Sequence, residues 1–312
     1  MLARFQQFIS LAVLAMTLAW AVAFTYAGHP VWALLGALAI LLGHAAFLGV
    51  EFALLASVQR SESAQRASVR ELACAWWGEV AAATSVFFWR QPFRSNVEPD
   101  NMPAQPGRQR GVVLVHGFFC NRGFWTPWLR QLRARQVPFI AVNLEPVFGS
   151  IDHYPSVIEA AVTRLAAATG QVPVVVGHSM GGLAIRAWLS AFDAESRVHR
   201  IVTIGSPHHG TWLARWGKTT NGKQMRLDSD WLQRLQAHEP AGRHARFTCF
   251  YGRCDNIVFP AKTATLIGAD NRHVPAAAHV HMAFRDTVFD EVCAWLDVPA
   301  PAASPPRGKG LG

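Results

Sequence analysis

Charge is scarce in this sequence. Of 312 residues, Lys, Arg, Asp and Glu make up 16%, while 51% are hydrophobic. That is little charge for a wholly soluble chain. Cysteine is sparse too. The five residues Cys74, Cys120, Cys249, Cys254 and Cys293 are odd in number and form no Cys-x-x-Cys pair, which argues against a disulfide framework. Cys249 and Cys254 are near enough in sequence to approach each other, but the pattern points to free buried thiols, and so toward a reducing compartment. No dense Lys/Arg run is interleaved with aromatics, and no nucleic-acid motif or internal repeat occurs. The net charge of +9 and pI near 9.9 therefore read as a basic surface beside an anionic membrane.

What is present is apolar length at the amino terminus. Phe8–Ala27 is twenty residues without a charge, and Val31–Val50 is twenty more, with His44 as its polar interruption. Each matches the roughly 20 residues needed to cross a bilayer. Gly28-His29-Pro30 separates them, so residues 1–58 are expected to form two antiparallel transmembrane helices. The first run is too long for a signal peptide and a second follows it. Arg4 precedes the pair, Arg60, Arg66 and Arg70 follow it, and the turn holds no Lys or Arg. The positive-inside rule then puts both ends in the cytoplasm of a multi-pass inner-membrane protein.

Leu72–Trp89 is apolar but carries Glu79. Leu72, Trp76, Val80, Ala83 and Phe87 form one helical stripe, so residues 59–90 are expected to lie as an amphipathic helix in the membrane interface. A third span over residues 72–89 is the alternative, and would put the rest of the chain in the periplasm. Residues 91–110 read as a proline-rich linker and residues 299–312 as a disordered tail.

Between them, strand and helix patterns alternate. Strands are expected at Gly111–Val115, Phe139–Asn143, Val172–Val176, Ile201–Ile204, Phe247–Tyr251 and Arg272–Val274. Helices are expected at Trp125–Arg135, Tyr154–Ala168, Met180–Phe192 and Phe284–Leu296. Such alternation predicts an α/β domain over 111–298 with a mostly parallel sheet, whose active residues gather at the carboxyl strand ends.

"VVVGHSMGGLAIRAWL" places Ser179 between a strand and a helix. Gly177, Gly181 and Gly182 permit a tight turn that lifts the hydroxyl toward a base. The backbone N–H of Met180, at the helix start, and that of Phe118, in the loop after Gly111–Val115, are candidate oxyanion donors. His116 in that loop reads as structural. His279 is the candidate base, with His281 as the alternative. Asp255 is the candidate acid, with Asp270 as the alternative. His208 and His209 lack further ligands at metal spacing and read as a rim loop. Residues 212–240, with Trp212, Trp216 and Trp231, read as a cap over an acyl pocket.

The order Ser179, Asp255, His279 and the pieces "VVLVHGFFCNRGFW", "GHSMGGLAIRAWL", "TIGSPHHGT", "YGRCDNIVFP" and "AAAHVHMAFRDTVF" resemble the α/β-hydrolase fold of bacterial esterases and lipases, near triacylglycerol lipases. Such enzymes usually carry glycine before the base, where this chain has Ala278. The first two strands of the full fold are missing, so a reduced sheet is expected. The resemblance implies a membrane-anchored serine hydrolase that cleaves carboxylic esters of apolar acyl chains, small-molecule or lipid, without metal or cofactor. Thioesterase, lactonase or amidase chemistry on the same groups is the alternative, and an inactive tethered binding protein is a further one.

Overall fold

The computed structural model describes residues 1–60, 66–103 and 109–297; the expected tail lies outside them. Two long apolar helices, α1 (Leu2–Tyr26) and α2 (Pro30–Gln59), form the amino-terminal hairpin. The turn between them is tight because Gly28 takes φ +79° and Pro30 opens α2 at a position whose N–H has no intrahelical acceptor. Trp20 Nε1 donates to the Trp32 carbonyl at 2.9 Å and ties the two helices near that turn. Only 6% and 17% of their most apolar stretches are buried, so most of the hairpin's apolar surface stays bare.

Helix α3 (Val69–Ser85) starts in a capping box: the Ser68 hydroxyl accepts from Glu71 N–H, and the Glu71 carboxylate accepts from Ser68 N–H. It runs on through a π-helical stretch, Val86–Arg90, to a last turn at Phe93. Its fully buried stripe is Ala75, Glu79, Ala83 and Val86. The expected stripe of Leu72, Trp76, Val80, Ala83 and Phe87 is therefore displaced: Glu79 is at the centre of the packed face rather than at its edge. The helix lies against α2 and the sheet domain, where backbone donors satisfy the carboxylate.

Residues 91–103, read as a linker, are fastened down. The Gln91 side-chain and backbone oxygens bind Asn121, Asn101 pairs its backbone with Phe139, and Glu98 bridges Arg130 and Arg133.

The sheet follows: β1 (Val112–Val115), β2 (Phe139–Ala141), β3 (Val174–His178), β4 (Arg200–Ile204), β5 (Phe247–Tyr251) and β6 (Asp270–His273). All six strands are parallel, in the order β2-β1-β3-β4-β5-β6. Between them run α4 (Thr126–Ala134), α5 (Pro155–Thr169), α6 (Met180–Phe192), α7 (Thr220–Gln224) and α8 (Asp230–Ala237). Two more close the fold, α9 (His279–Met282) and α10 (Asp286–Asp297). β3 starts two residues later than expected and runs through His178. β6 starts at Asp270, and the last long helix starts at Asp286, after the short α9 that His279 itself opens.

The strands β1, β2 and β3 are apolar on both faces because both faces are covered, whereas the edge strand β6 is polar. Val113, Val115, Ile140 and Val175 pack with α5 and α6 through Ile158, Leu165, Leu183 and Trp188. Val112, Leu114, Val174 and Val176 pack with α4 and α10 through Trp128, Leu129, Val288 and Phe289. Each fully buried aliphatic side chain contributes roughly 1.5–3 kcal/mol. This double-sided core holds the strand ends, and hence the loops beyond them, in fixed register.

Candidate active site

The register aligns Val115 with Gly177, His178 with Ile204, and Ile204 with Phe250. The loops that follow β1, β3, β4 and β5 thus leave the sheet side by side. Ser179 leaves β3 with φ +54° and ψ −128°, a strained conformation for a residue with a side chain. Its N–H donates to the Ile204 carbonyl at 2.9 Å, which prolongs the β3–β4 ladder by one bond. Its hydroxyl makes no cap bond to α6. The turn closes only because its neighbours are small: a Cβ on Gly181 would stand 2.5 Å from the Val115 oxygen, and one on Gly177 2.8 Å from Gly182 N. Met180 is the first residue of α6, so its N–H has no intrahelical acceptor and lies at the positive end of the helix dipole. Phe118, half-buried in the loop after β1, lines the same cavity as Ser179.

Asp255, buried beyond β5, meets His279 at the start of α9. Nδ1 of His279 lies 3.0 Å from both carboxylate oxygens. Asp255 Oδ1 also accepts from the N–H groups of Ile257 (2.9 Å) and Val258 (2.7 Å), which fixes the carboxylate. Burial pulls the His279 pKa down, but the carboxylates of Asp255, Glu79 and Glu51 together outweigh it and leave the pKa raised above 6.5. Gly205, at φ +54°, lets this pair sit close over the β4 end. Ser179 and His279 face one cavity of about 510 Å³.

The alternatives lie elsewhere. Asp270 pairs with Arg272 on β6. His281 is half-buried, turned against α3 at Gly78, and burial lowers its pKa. His116 is buried and fully engaged: Leu144 N–H donates to its Nε2 and its Nδ1–H donates to the Gly117 carbonyl. Burial pushes its pKa down to about 4. His178 stacks on Phe124 and donates from Nε2 to the His279 carbonyl at 3.1 Å. His208 is a core residue, with Nε2 3.0 Å from Thr203 Oγ1. Cys74, Cys120, Cys249 and Cys254 are free thiols, and burial pushes Cys120 and Cys254 up to about 12.

Three neighbours of the base escaped the sequence reading. Glu79 accepts from the N–H groups of Val280 and His281, and burial raises its pKa to about 7. Asn256 accepts from His279 N–H at 3.2 Å and donates to Glu51 Oε2 at 2.6 Å. The signal was a carboxylate inside each of two otherwise apolar helices, and an amide next to the acid.

The expected cap divides. Thr211, Leu213, Ala214 and Met225 line a second cavity of about 270 Å³ that also reaches Ser179. Helix α8 does not: Trp231, Leu232 and Leu235 pack on the flank of α6, and Trp231 Nε1 donates to Asp152. Its apolar face is taken up by that packing, and none of its residues lines either cavity at Ser179.

Two solved structures share the fold. The mature Bacillus licheniformis lipase BlEst2 superposes with a TM-score of 0.55 at 18% identity, covering 64% of this chain and 96% of that one. Aspergillus fumigatus lipase B gives 0.55 at 18% identity, with 64% of this chain on 56% of that one. No curated protein matches the chain. Residues 112–303 match the alpha/beta hydrolase family, and the chain belongs to that family.

Proposed function

We propose that the chain is a membrane-anchored serine hydrolase that cleaves carboxylic esters of apolar acyl chains. The observation that carries this reading is the two-oxygen contact of Asp255 on His279 Nδ1, at 3.0 Å each, beside the strained Ser179 on one cavity. A carboxylate on Nδ1 fixes the tautomer that leaves Nε2 as the acceptor. His279 takes the Ser179 proton as the hydroxyl attacks the ester carbonyl. The N–H groups of Met180 and Phe118 hold the oxyanion; one such donor is worth roughly 3–4 kcal/mol of barrier. The imidazolium then protonates the departing alcohol, and water, deprotonated by the same ring, frees the acid from Ser179.

Membrane attachment is supported by the bare surface of α1 and α2. Phe8, Leu18, Val31, Trp32 and Leu34 are all at least 60% exposed, and water would oppose so large an apolar patch. We place the carboxyl-terminal domain in the cytoplasm, because α3, with its buried Glu79, leaves the hairpin's two spans as the crossings. The test is hydrolysis of p-nitrophenyl butyrate by the full chain and by Ser179→Ala. Turnover confined to the wild type supports the reading; equal turnover by the variant contradicts it.

A further inference from the structure

Two cavities diverge from Ser179, and different elements wall them. The larger, about 510 Å³, is walled by Ile9 of α1, Phe47 and Leu48 of α2, and Ala83 and Phe87 of α3, with Gln6, His44, Glu51 and Glu79 of the same helices as its polar members. The smaller, about 270 Å³, is walled by Thr211, Lys218 and Thr219 together with Leu213 and Ala214. The amino-terminal helices therefore build most of one branch, and the loop after β4 builds the other.

We propose that the larger branch is the acyl chamber, and that the substrate is a lipid ester whose long chain passes into it from the hydrocarbon of the bilayer. The proposal rests on Ser179 being the nucleophile. Each methylene moved from water to an apolar wall favours binding by about fourfold, and the helix-lined branch is the roomier of the two, with Phe47, Phe87 and Phe88 in its wall. Phe47 connects that branch to the outside: it lines the cavity and is 62% exposed. On the same helix Leu42 is 57% exposed and Val50 58%. The chamber thus reaches the surface among side chains suited to lipid. The smaller branch, where Thr211, Thr219 and Lys218 stand among Leu213, Met225 and Val258, takes the alcohol.

The hairpin is then part of the substrate site as well as an anchor. Chain-length preference should follow the helices and not the loop at 212–225. The test compares kcat/KM for p-nitrophenyl palmitate and p-nitrophenyl acetate in the full chain. Ala83→Phe and Ile9→Trp, which fill the chamber from two helices, should lower the palmitate-to-acetate ratio by about tenfold or more. Ala214→Trp, in the other branch, should leave the ratio within about twofold. Loss of the ratio in Ala214→Trp with retention in both chamber variants would overturn the proposal.

A second readout needs neither turnover nor a folded chamber variant. In Ser179→Ala, photolysis of a diazirine-bearing palmitate should mark the peptide of α3 that carries Ala83, which lines the chamber and is buried from the bilayer. Marking confined to residues 212–225 overturns the chamber. Marking of the Ala83 peptide with no ester hydrolysis by the wild type would keep the chamber and reject the nucleophile.

Discussion

Both carboxylate oxygens of Glu79 accept the backbone N–H of Val280 at 3.0 Å, across 201 residues of sequence. One of them also takes the His281 N–H at 2.9 Å. Val280 and His281 follow the candidate base directly. The helix after the amino-terminal hairpin therefore holds the short helix α9 that His279 opens, and its charge acts on that ring.

This contact sets an expectation for pH dependence. His279 must be neutral to accept a proton, and it is buried among Asp255, Glu79, Glu51 and His178. Burial lowers its pKa; Asp255 and then Glu79 raise it, and the net result lies above 6.5. The acidic limb of kcat/KM should accordingly lie above that value. Glu79→Gln keeps an acceptor oxygen and removes the charge, so the limb should move to lower pH. A limb that stays in place or moves upward contradicts the electrostatic role.

Gly205 sets the spacing of the same pair. It holds φ +54°, and a Cβ there would stand 2.9 Å from Asp255 Oδ2 and 3.2 Å from His279 Nδ1. Gly205→Ala should cost about 1–2 kcal/mol in backbone strain. It should lower kcat roughly 10- to 100-fold by displacing the acid from the base, with KM little changed. Steady-state kinetics beside thermal unfolding will tell: normal kcat in a folded variant removes the packing argument.

The domain also carries a buried ion pair away from the site. Arg186 Nε and Nη2 meet the two Glu239 oxygens at 2.8 Å each, with side-chain exposures of 1% and 3%. Burial alone would raise the Glu239 pKa, but Arg186 and His244 bring it down to about 2. With the folded value below 4.5, this stabilisation is present above pH 4.5 and is lost as pH falls toward 2. Arg186→Met strands the carboxylate and should cost about 3–5 kcal/mol, a fall in Tm on the order of 10 °C. The acid-induced decline between pH 4.5 and 2 should shrink in the variant. An unchanged Tm would mean that the pair contributes no net stability.

The membrane arrangement is open to proteolysis. Protease added outside spheroplasts should leave the carboxyl-terminal domain intact, and protease added to inverted vesicles should digest it. Digestion from outside would place the domain in the periplasm.

Much of the domain was legible in the sequence because its signals are local. β-Branched runs mark β1, β3 and β4, and glycines mark the turn at Ser179. Asp255 and His279 were candidates from their positions after strands, and the fold brings them together. What the sequence hid is non-local. Glu79 reads as a cost in an apolar run until Val280, 201 residues away, supplies its donor. Asn256 and Glu51 link only across 205 residues. The packing of α8 on α6 was also out of reach, because an amphipathic helix looks the same whether it covers a pocket or packs on a neighbouring helix. The hairpin read as an anchor alone, since nothing local to residues 1–58 says that Ile9 and Phe47 face Ser179.

The central claim is that Ser179 attacks, activated by His279 and Asp255. Its most direct test is labelling of the full chain by an alkyl fluorophosphonate, with the adduct located by peptide mass. The account predicts one adduct, on Ser179, absent in Ser179→Ala and formed roughly 10³–10⁴-fold more slowly in Asp255→Asn. No adduct on the wild type, or an adduct of equal yield in Ser179→Ala, would contradict it.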